Sequence, residues 1–475
     1  MIPYGLRRLC GVVATCTLGV APLLALFGCG DDFPAVPDTG PDYADLFAPE
    51  DDGPNDLGAP DVGPDDVGDG PTNVCSAAWT YQVPESGAAT HPIVDGDGIV
   101  TLTAGTSLRR IDLDGNDAAV CASPYVAPGQ VLGSPSMNTT GTVYVGSVQG
   151  VVHAVTKSCK TKWAISPVPR ASACEQTGKP IFCDGGAKPI TEAPALLGNA
   201  IFALDETPAL YRLNDLGTQA EFVWSFLTGD SESVPDAAPV ISGETDPFVA
   251  FPTRRTVAAV NGNGAKRWLF ELPEGKEITS PLAVTASGDL LFAMGTPAGG
   301  GFYTELEIGK ILAVSPDKAG RMAAGFPRAL NVTLDAVRGI AIAPDESLVM
   351  AMAGNGIIRL APDSSQLWKF IGGAESLRAT SVPTIADDGS TFVTAEPRSV
   401  IGVGLHGEQI FRYEVPGGGI LDTTSPLIAD DGTVLVYFGS QVRAYRCSET
   451  KGLAVSSWPR YQRNNRSSGQ LQEPK

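Results

Sequence analysis

Histidine is nearly absent: His91, His153 and His406 are the only three in 475 residues, and they lie far apart in the chain. Neither an HExxH pattern nor a Cys/His spacing suited to zinc occurs, which leaves no recognisable zinc centre. No CxxC is present among the nine cysteines, so a thiol redox motif is missing too. A GxSxG nucleophile elbow is also lacking, which removes the usual serine-hydrolase signal. Basic residues are scarce, 33 against 53 acidic ones, and the net charge of −20 argues against nucleic acid, whose phosphates need clustered Lys and Arg. Abundance lies elsewhere. Hydrophobic residues make up 43% of the chain, enough for a sizeable core, while 55 glycines and 38 prolines imply many turns and exclude a helical bundle.

One long apolar run is present, Leu9 to Gly28, preceded by Arg7 and Arg8 and followed by Cys29. A charged n-region, an apolar h-region and a small residue before cysteine resemble a bacterial lipobox, with Phe27 in place of the smaller residue usual there. On this reading residues 1–28 are a signal peptide, and Cys29 is lipidated and becomes the mature N-terminus. The alternative is an uncleaved membrane helix, since about 20 apolar residues span a hydrocarbon core of ~30 Å. Both readings place the remainder outside the cytoplasm and tethered to a membrane. Gly30 after the cysteine resembles lipoproteins passed to the outer membrane, facing the periplasm or the cell surface.

From Gly30 to Val74 the chain holds thirteen Asp or Glu, eight Pro and no Lys or Arg. So few apolar side chains cannot offset the entropy of ordering such a segment, and like charges extend it. Residues 29–74 are therefore predicted to be a disordered acidic tether.

Internal repetition governs the rest. A small residue and usually Pro, an alternating apolar stretch, a Gly/Asp/Asn turn and two further strands recur, most clearly from Ser134 and from Ser425. Aligned starts fall at Pro92, Pro135, Pro194, Pro239, Pro281, Gly339, Pro383 and Pro426, a period of about 43 with two longer intervals. That period matches four-stranded propeller blades. A fourth strand with an aromatic pair follows most units: Trp224 and Phe226, Trp268 and Phe270, Trp368 and Phe370, Phe411 and Tyr413, with Trp163 and Ile165 as a weaker copy. Residues i and i+2 share one face of a strand, so each pair is expected to pack between adjacent blades. Trp79 and Tyr81 have the same form but precede the first unit, whereas the eighth unit stops after its third strand at Tyr445. The prediction is an all-β fold: an eight-bladed β-propeller of four-stranded antiparallel blades, spanning residues 75–475 and closed by an N-terminal strand at 77–84.

Six cysteines follow Cys29 in a compartment that permits disulfides. The blade arrangement favours Cys75 with Cys447 across the closure, Cys121 with Cys159 between neighbouring blades, and Cys174 with Cys183 within one insertion.

The units resemble the bacterial PQQ-like β-propeller repeat, with TVYVGSVQGVVHAV before Lys162 and Trp163 as the best copy. The segment from Trp458 through Asn464 to Gly469 resembles a WP…N…G signature of lipoproteins that carry these repeats. The family includes quinoprotein dehydrogenases and the envelope lipoprotein of the β-barrel assembly machinery, so the resemblance speaks for fold more than for function. A quinoprotein would hold PQQ and calcium in the central channel. Neither vicinal cysteines nor an alignable Glu, Asn and Asp set is present, and Asp95, Asp97, Asp387, Asp388, Asp430 and Asp431 all sit in turn sequences.

In such blades the 2–3 and 4–1 loops emerge on one face. The insertions at 166–192, Pro297–Gly309 and Pro327–Val337 all belong there, as do Arg254, Arg255, Arg338 and Arg398. Long loops on a rigid scaffold commonly carry recognition. Phe302, Tyr303 and these four arginines are the predicted partner- or glycan-contact residues, with no catalytic or metal residue assigned. The expected function is a monomeric, lipid-anchored, noncatalytic scaffold that binds envelope proteins such as outer-membrane barrel components. Alternatives are a PQQ-dependent oxidoreductase with calcium and a polysaccharide- or surface-adhesion module.

Overall fold

The computed structural model describes residues 75–470, apart from 86, 88–89, 168–187, 230–231, 235–236, 244–245, 314–319, 333–334, 373–376 and 416–423. Cys29, the signal-like segment, the acidic stretch, Cys174 and Cys183 lie outside the described residues.

Every strand of the described chain belongs to one of eight antiparallel sheets, taken in sequence order as blades 1 to 8. Blade 1 runs Ile93–Val94, Val100–Ala104, Ser107–Ile111 and Tyr125–Val126 from inside to outside. Blades 2, 3 and 4 begin at Leu132–Met137, Ala195–Leu197 and Val240–Ser242. The inner strands of blades 5 and 7 are each broken in two, Glu277–Ile278 with Ala283–Val284 and Arg378–Ala379 with Thr384–Ile385. Blade 6 starts at Val337–Ile342, and blade 8 comprises Leu427–Ile428, Thr433–Tyr437, Gln441–Cys447 and the N-terminal strand Cys75–Gln82. The ring thus closes as the repeat arithmetic requires, with Cys75 opposite Cys447 and Gln82 opposite Gln441. Disulfides join Cys75 to Cys447 and Cys121 to Cys159, both as expected.

The core is distributed between the blades. Separate apolar clusters join blades 1 and 2, 2 and 3, 3 and 4, 6 and 7, 7 and 8, and 8 and 1, while one larger cluster spans blades 4, 5 and 6. This explains why middle strands such as Val143–Ser147 are buried throughout, whereas the outer strand Ala220–Leu227 alternates. A middle strand is covered on both faces, and an outer strand on one.

The outer-strand tryptophans fix the spacing of neighbouring blades. Trp79 donates its indole Nε1–H to Leu113 O at 2.6 Å, and Trp368 does the same to Leu405 O at 2.8 Å in the following blade. A Cβ at Gly115 would sit 2.7 Å from Trp79 Cδ2, so only glycine permits the ring to lie flat on that turn. Blade 3 repeats the device, with Trp224 donating to Gly262 O beside Gly264. The aspartates of the turn sequences act as caps: Asp95 Oδ1 accepts from the amides of Asp97 and Ile99, and Asp431 Oδ1 from Thr433 N.

Candidate functional site: the insertion-bearing rim and the sealed axis

The six predicted contact residues fall on four consecutive blades at one rim. Arg254 and Arg255 form the 2–3 turn of blade 4, between Phe248–Pro252 and Thr256–Asn261. Phe302 and Tyr303 open the return strand of the extended blade 5 hairpin, after Gly299, Gly300 and Gly301, all three with positive φ. Arg338 lies at an irregularity near the start of the blade 6 inner strand, and Arg398 in the 2–3 turn of blade 7.

Of these, the structure joins Arg254 and Tyr303. Arg254 Nη1 pairs with Glu232 Oε2 at 2.7 Å and its Nε with Glu277 Oε2 at 3.0 Å, so the guanidinium is raised first by the Glu232 hydrogen bond. Burial, then Glu277, pushes the Tyr303 phenol up. Beside them Lys276 Nζ lies 3.1 Å from Glu305 and 3.4 Å from Glu307. Spacing alone could not reveal this: the arginine singled out as a recognition group is already clasped by carboxylates. Arg255 is exposed, Phe302 half-buried, and Arg338 Nε is buried with no hydrogen-bond partner among the described residues.

The rim is rigid. Tyr303 N donates to Asp335 O at 2.7 Å and Asp335 N returns to Tyr303 O at 3.0 Å, tying the blade 5 hairpin to the loop entering blade 6. The fully buried Asp335 carboxylate accepts from Ala336 N, Gly354 N and Asn355 Nδ2 at 2.6–2.7 Å.

The axis is filled from the opposite face, by a segment whose role the sequence did not disclose. After the last strand the chain crosses the ring and hydrogen-bonds to the inner strands: Ile342 N to Trp458 O, Ile385 N to Pro459 O, Val94 N to Asn465 O, Met137 N to Arg466 O, Leu196 N to Ser468 O and Ile241 N to Gly469 O. Trp458, Arg460, Tyr461 and Gln462 are buried, and Tyr461 packs with Ala193, Ala238 and Val382 of three different blades. Gln462 and Arg463 adopt positive φ where the segment turns. The Tyr461 hydroxyl donates to Glu192 Oε2 at 2.7 Å, and Gln462 Nε2 to Pro239 O at 3.2 Å. A void of about 10 Å³ lies among Trp458, Tyr461, Gln462 and the neighbouring Ala238, Pro281, Leu282, Ile340 and Val382. That admits one water at most, whereas a bound organic ligand needs about 300 Å³ or more. No group of three or more His, Cys, Asp or Glu placed to hold a metal ion occurs among the described residues.

No protein-family model and no curated protein matches the chain. Solved structures do. BamB from Moraxella catarrhalis, a propeller lipoprotein with PQQ-like repeats, is 14% identical, with 79% of this chain and 98% of BamB covered at a TM-score of 0.54. Sqt1 of Saccharomyces cerevisiae is 11% identical over 79% of this chain and 99% of its own, at 0.58. The Dos1 propeller is 9% identical over 78% and 95%, at 0.57. At these identities the likeness is one of fold, and the chain is an eight-bladed β-propeller similar in architecture to BamB.

Proposed function

We propose that this protein is a noncatalytic binding scaffold of the cell envelope, anchored to the outer membrane through a lipid on Cys29. On this reading the rim of blades 4 to 7 receives an envelope protein, with assembly of outer-membrane barrels as the process served. The observation that carries the reading is the division of the ring: the extended blade 5 hairpin and the arginine-bearing turns lie on one rim, while the axis holds the chain's own Trp458–Gln462. A ring built this way offers surface for contact. The signal-like run before Cys29 and the two disulfides support an oxidising, extracytoplasmic location. The fold likeness to BamB supports the envelope role by analogy.

The test is crosslinking in living cells with the tagged full-length chain, followed by mass spectrometry of captured proteins. Recovery of outer-membrane barrel components, lost on combined alanine substitution of Arg254, Arg255, Phe302 and Tyr303, is the expected result. Capture that survives those four substitutions removes the rim from the proposal. Stoichiometric PQQ and calcium binding by the purified chain would replace the scaffold with the oxidoreductase reading.

A further inference from the structure

Four of the six predicted contact residues are arginines, which makes the rim read as a basic surface in the sequence. The fold inverts that sign between blades 4 and 5. Three backbone ties bring the parts together: Arg254 N donates to Glu232 O at 3.0 Å, Ile278 N to Arg254 O at 2.8 Å, and Leu272 N to Arg255 O at 3.0 Å. The return strand of the blade 5 hairpin joins them through Lys276 Nζ, which donates to Glu305 O at 3.1 Å. Glu232, Glu271, Glu274, Glu277, Glu305 and Glu307 thus share one stretch of rim. Among the described residues of these segments only Arg254, Arg255 and Lys276 oppose them. Asp335 adds nothing outside, because its carboxylate is fully buried and held by three donors.

Depth settles which sign a partner meets. The Lys276 side chain is 16% exposed, whereas that of Glu305, which it holds, is 71% exposed. Arg254 is likewise less exposed than Glu232. Glu271 and Glu274 are exposed too, with Arg255 as the exposed cation beside them. The Lys276 hydrogen bond first, and that of Thr296 second, hold the Glu305 carboxyl below the usual range, so it is charged at neutral pH.

Arg254 shows what this surface does with a guanidinium. It spans Glu232 and Glu277 at 2.7 and 3.0 Å. A carboxylate that accepts one hydrogen bond keeps lone pairs for another donor. A guanidinium brought from outside can therefore pair with the outward carboxylates of Glu274 and Glu305, and charge-assisted bonds of this kind are the strong ones. Half-buried Phe302 and Tyr303 supply aromatic surface on which a cation also gains. An acidic segment would instead meet like charges, which suppress wrong partners.

We infer that the rim between blades 4 and 5 docks a basic, arginine-bearing segment of a protein partner. The inference rests on the scaffold reading above and names the charge of what the scaffold receives.

The experiment uses the full-length chain in detergent with two fluorescent decapeptides, one alternating arginine with serine and the other glutamate with serine. Each carries a central benzophenone for photocrosslinking. The basic peptide is expected to bind about tenfold or more tightly than the acidic one, and to crosslink within residues 271–278 and 296–305. Glu232→Gln with Glu305→Gln, and Glu271→Lys with Glu274→Lys, should each weaken it about fivefold. Asp114→Lys with Asp430→Lys makes the same charge change as the second pair on the opposite face, and should leave binding within about twofold of the parent. Crosslinks confined to the acidic residues 29–74, an equal loss in the opposite-face variant, or no loss in both rim variants each overturns the inference. The scaffold reading fails separately. A partner captured in cells through the rim by an acidic or uncharged segment overturns the basic docking site and keeps the scaffold. Failure of cellular capture, with basic-peptide binding at the rim intact, overturns the scaffold alone.

Discussion

The imidazole of His91 and the phenol of Tyr461 stack face to face inside the ring, with centroids 3.8 Å apart and planes 17° from parallel. One ring stands at the entry of blade 1 and the other on the C-terminal segment, so the contact couples the first blade to the last residues of the fold. His91 Nδ1 also accepts from Ser425 N of blade 8 at 3.0 Å, which brings the closure seam into the same cluster. Replacing Tyr461 by alanine removes this stack, the hydrogen bond to Glu192 and the packing on Ala193, Ala238 and Val382. The expected cost is about 3 kcal/mol, read as a lower urea midpoint at unchanged m-value. A midpoint within error of the parent would mean that the axis is not held by the C-terminal segment.

Acid should weaken the fold through two histidines. Burial first, and Arg460 second, hold the His91 imidazole down at about 3, and burial holds His153 at about 4. The ordinary value in an unfolded chain is about 6.5. Both folded values lie below it, so the unfolded chain takes up protons first. Their contribution is fully present above about pH 6.5 and falls as pH drops toward 4, by up to about 2.7 kcal/mol per unit when both count. Urea midpoints measured at about pH 7, 6 and 5 test this, and His153→Gln should reduce the slope by about half. A midpoint that does not move over that range would contradict the assignment.

The blades were legible because each repeats a local pattern, and a period of two with turn residues at fixed places survives in one sequence. Closure was legible from the surplus strand at Trp79 and the missing one after Tyr445. Cys75 and Cys447 were then placed by register, since they face each other across the pair. The C-terminal segment was visible only as a signature. Trp458 to Gly469 contains no strand and no period, and its positions are set by hydrogen bonds to six separate inner strands. The Arg254 ion pairs were hidden for a similar reason. Glu232 comes from the loop before blade 4 and Glu277 from the inner strand of blade 5, and only the folded ring brings both onto one guanidinium.

The closure disulfide should matter more than its peripheral position suggests. Cys75 and Cys447 are 372 residues apart, so the bond restricts nearly the whole unfolded propeller. Loop-closure entropy assigns such a bond about 6 kcal/mol, against about 4 for Cys121 and Cys159, which are 38 residues apart. The Cys75→Ser, Cys447→Ser double variant is therefore expected to lose more stability than Cys121→Ser, Cys159→Ser, measured by chemical denaturation of each beside the parent. Equal losses would show that native packing around the second bond outweighs the entropy of the first.

Asp215 joins blades 2 and 3. Its Oδ2 accepts from the Tyr144 hydroxyl and from Lys162 Nζ, both at 2.6 Å, and its Oδ1 from Trp163 Nε1 at 3.0 Å and Gly217 N at 2.9 Å. Desolvation pushes this carboxyl up, but the donors from Lys162, Tyr144, Trp163 and Gly217 outweigh it and hold it below the usual range. The blade 2 tryptophan is thus anchored on a side chain, where Trp79 and Trp368 use backbone carbonyls. Asp215→Ala strands a lysine, a phenol and an indole N–H at a nearly closed interface, with an expected loss of about 3 kcal/mol. Asp215→Asn keeps acceptor capacity on one oxygen but places an amide N–H among the donors, so it should lose much of that stability as well. Denaturant midpoints of both variants, read with Trp163 fluorescence, test the anchor. A neutral Asp215→Ala would show that packing of Trp163 on Tyr144, whose ring centroids lie 5.9 Å apart, holds the two blades without the carboxylate.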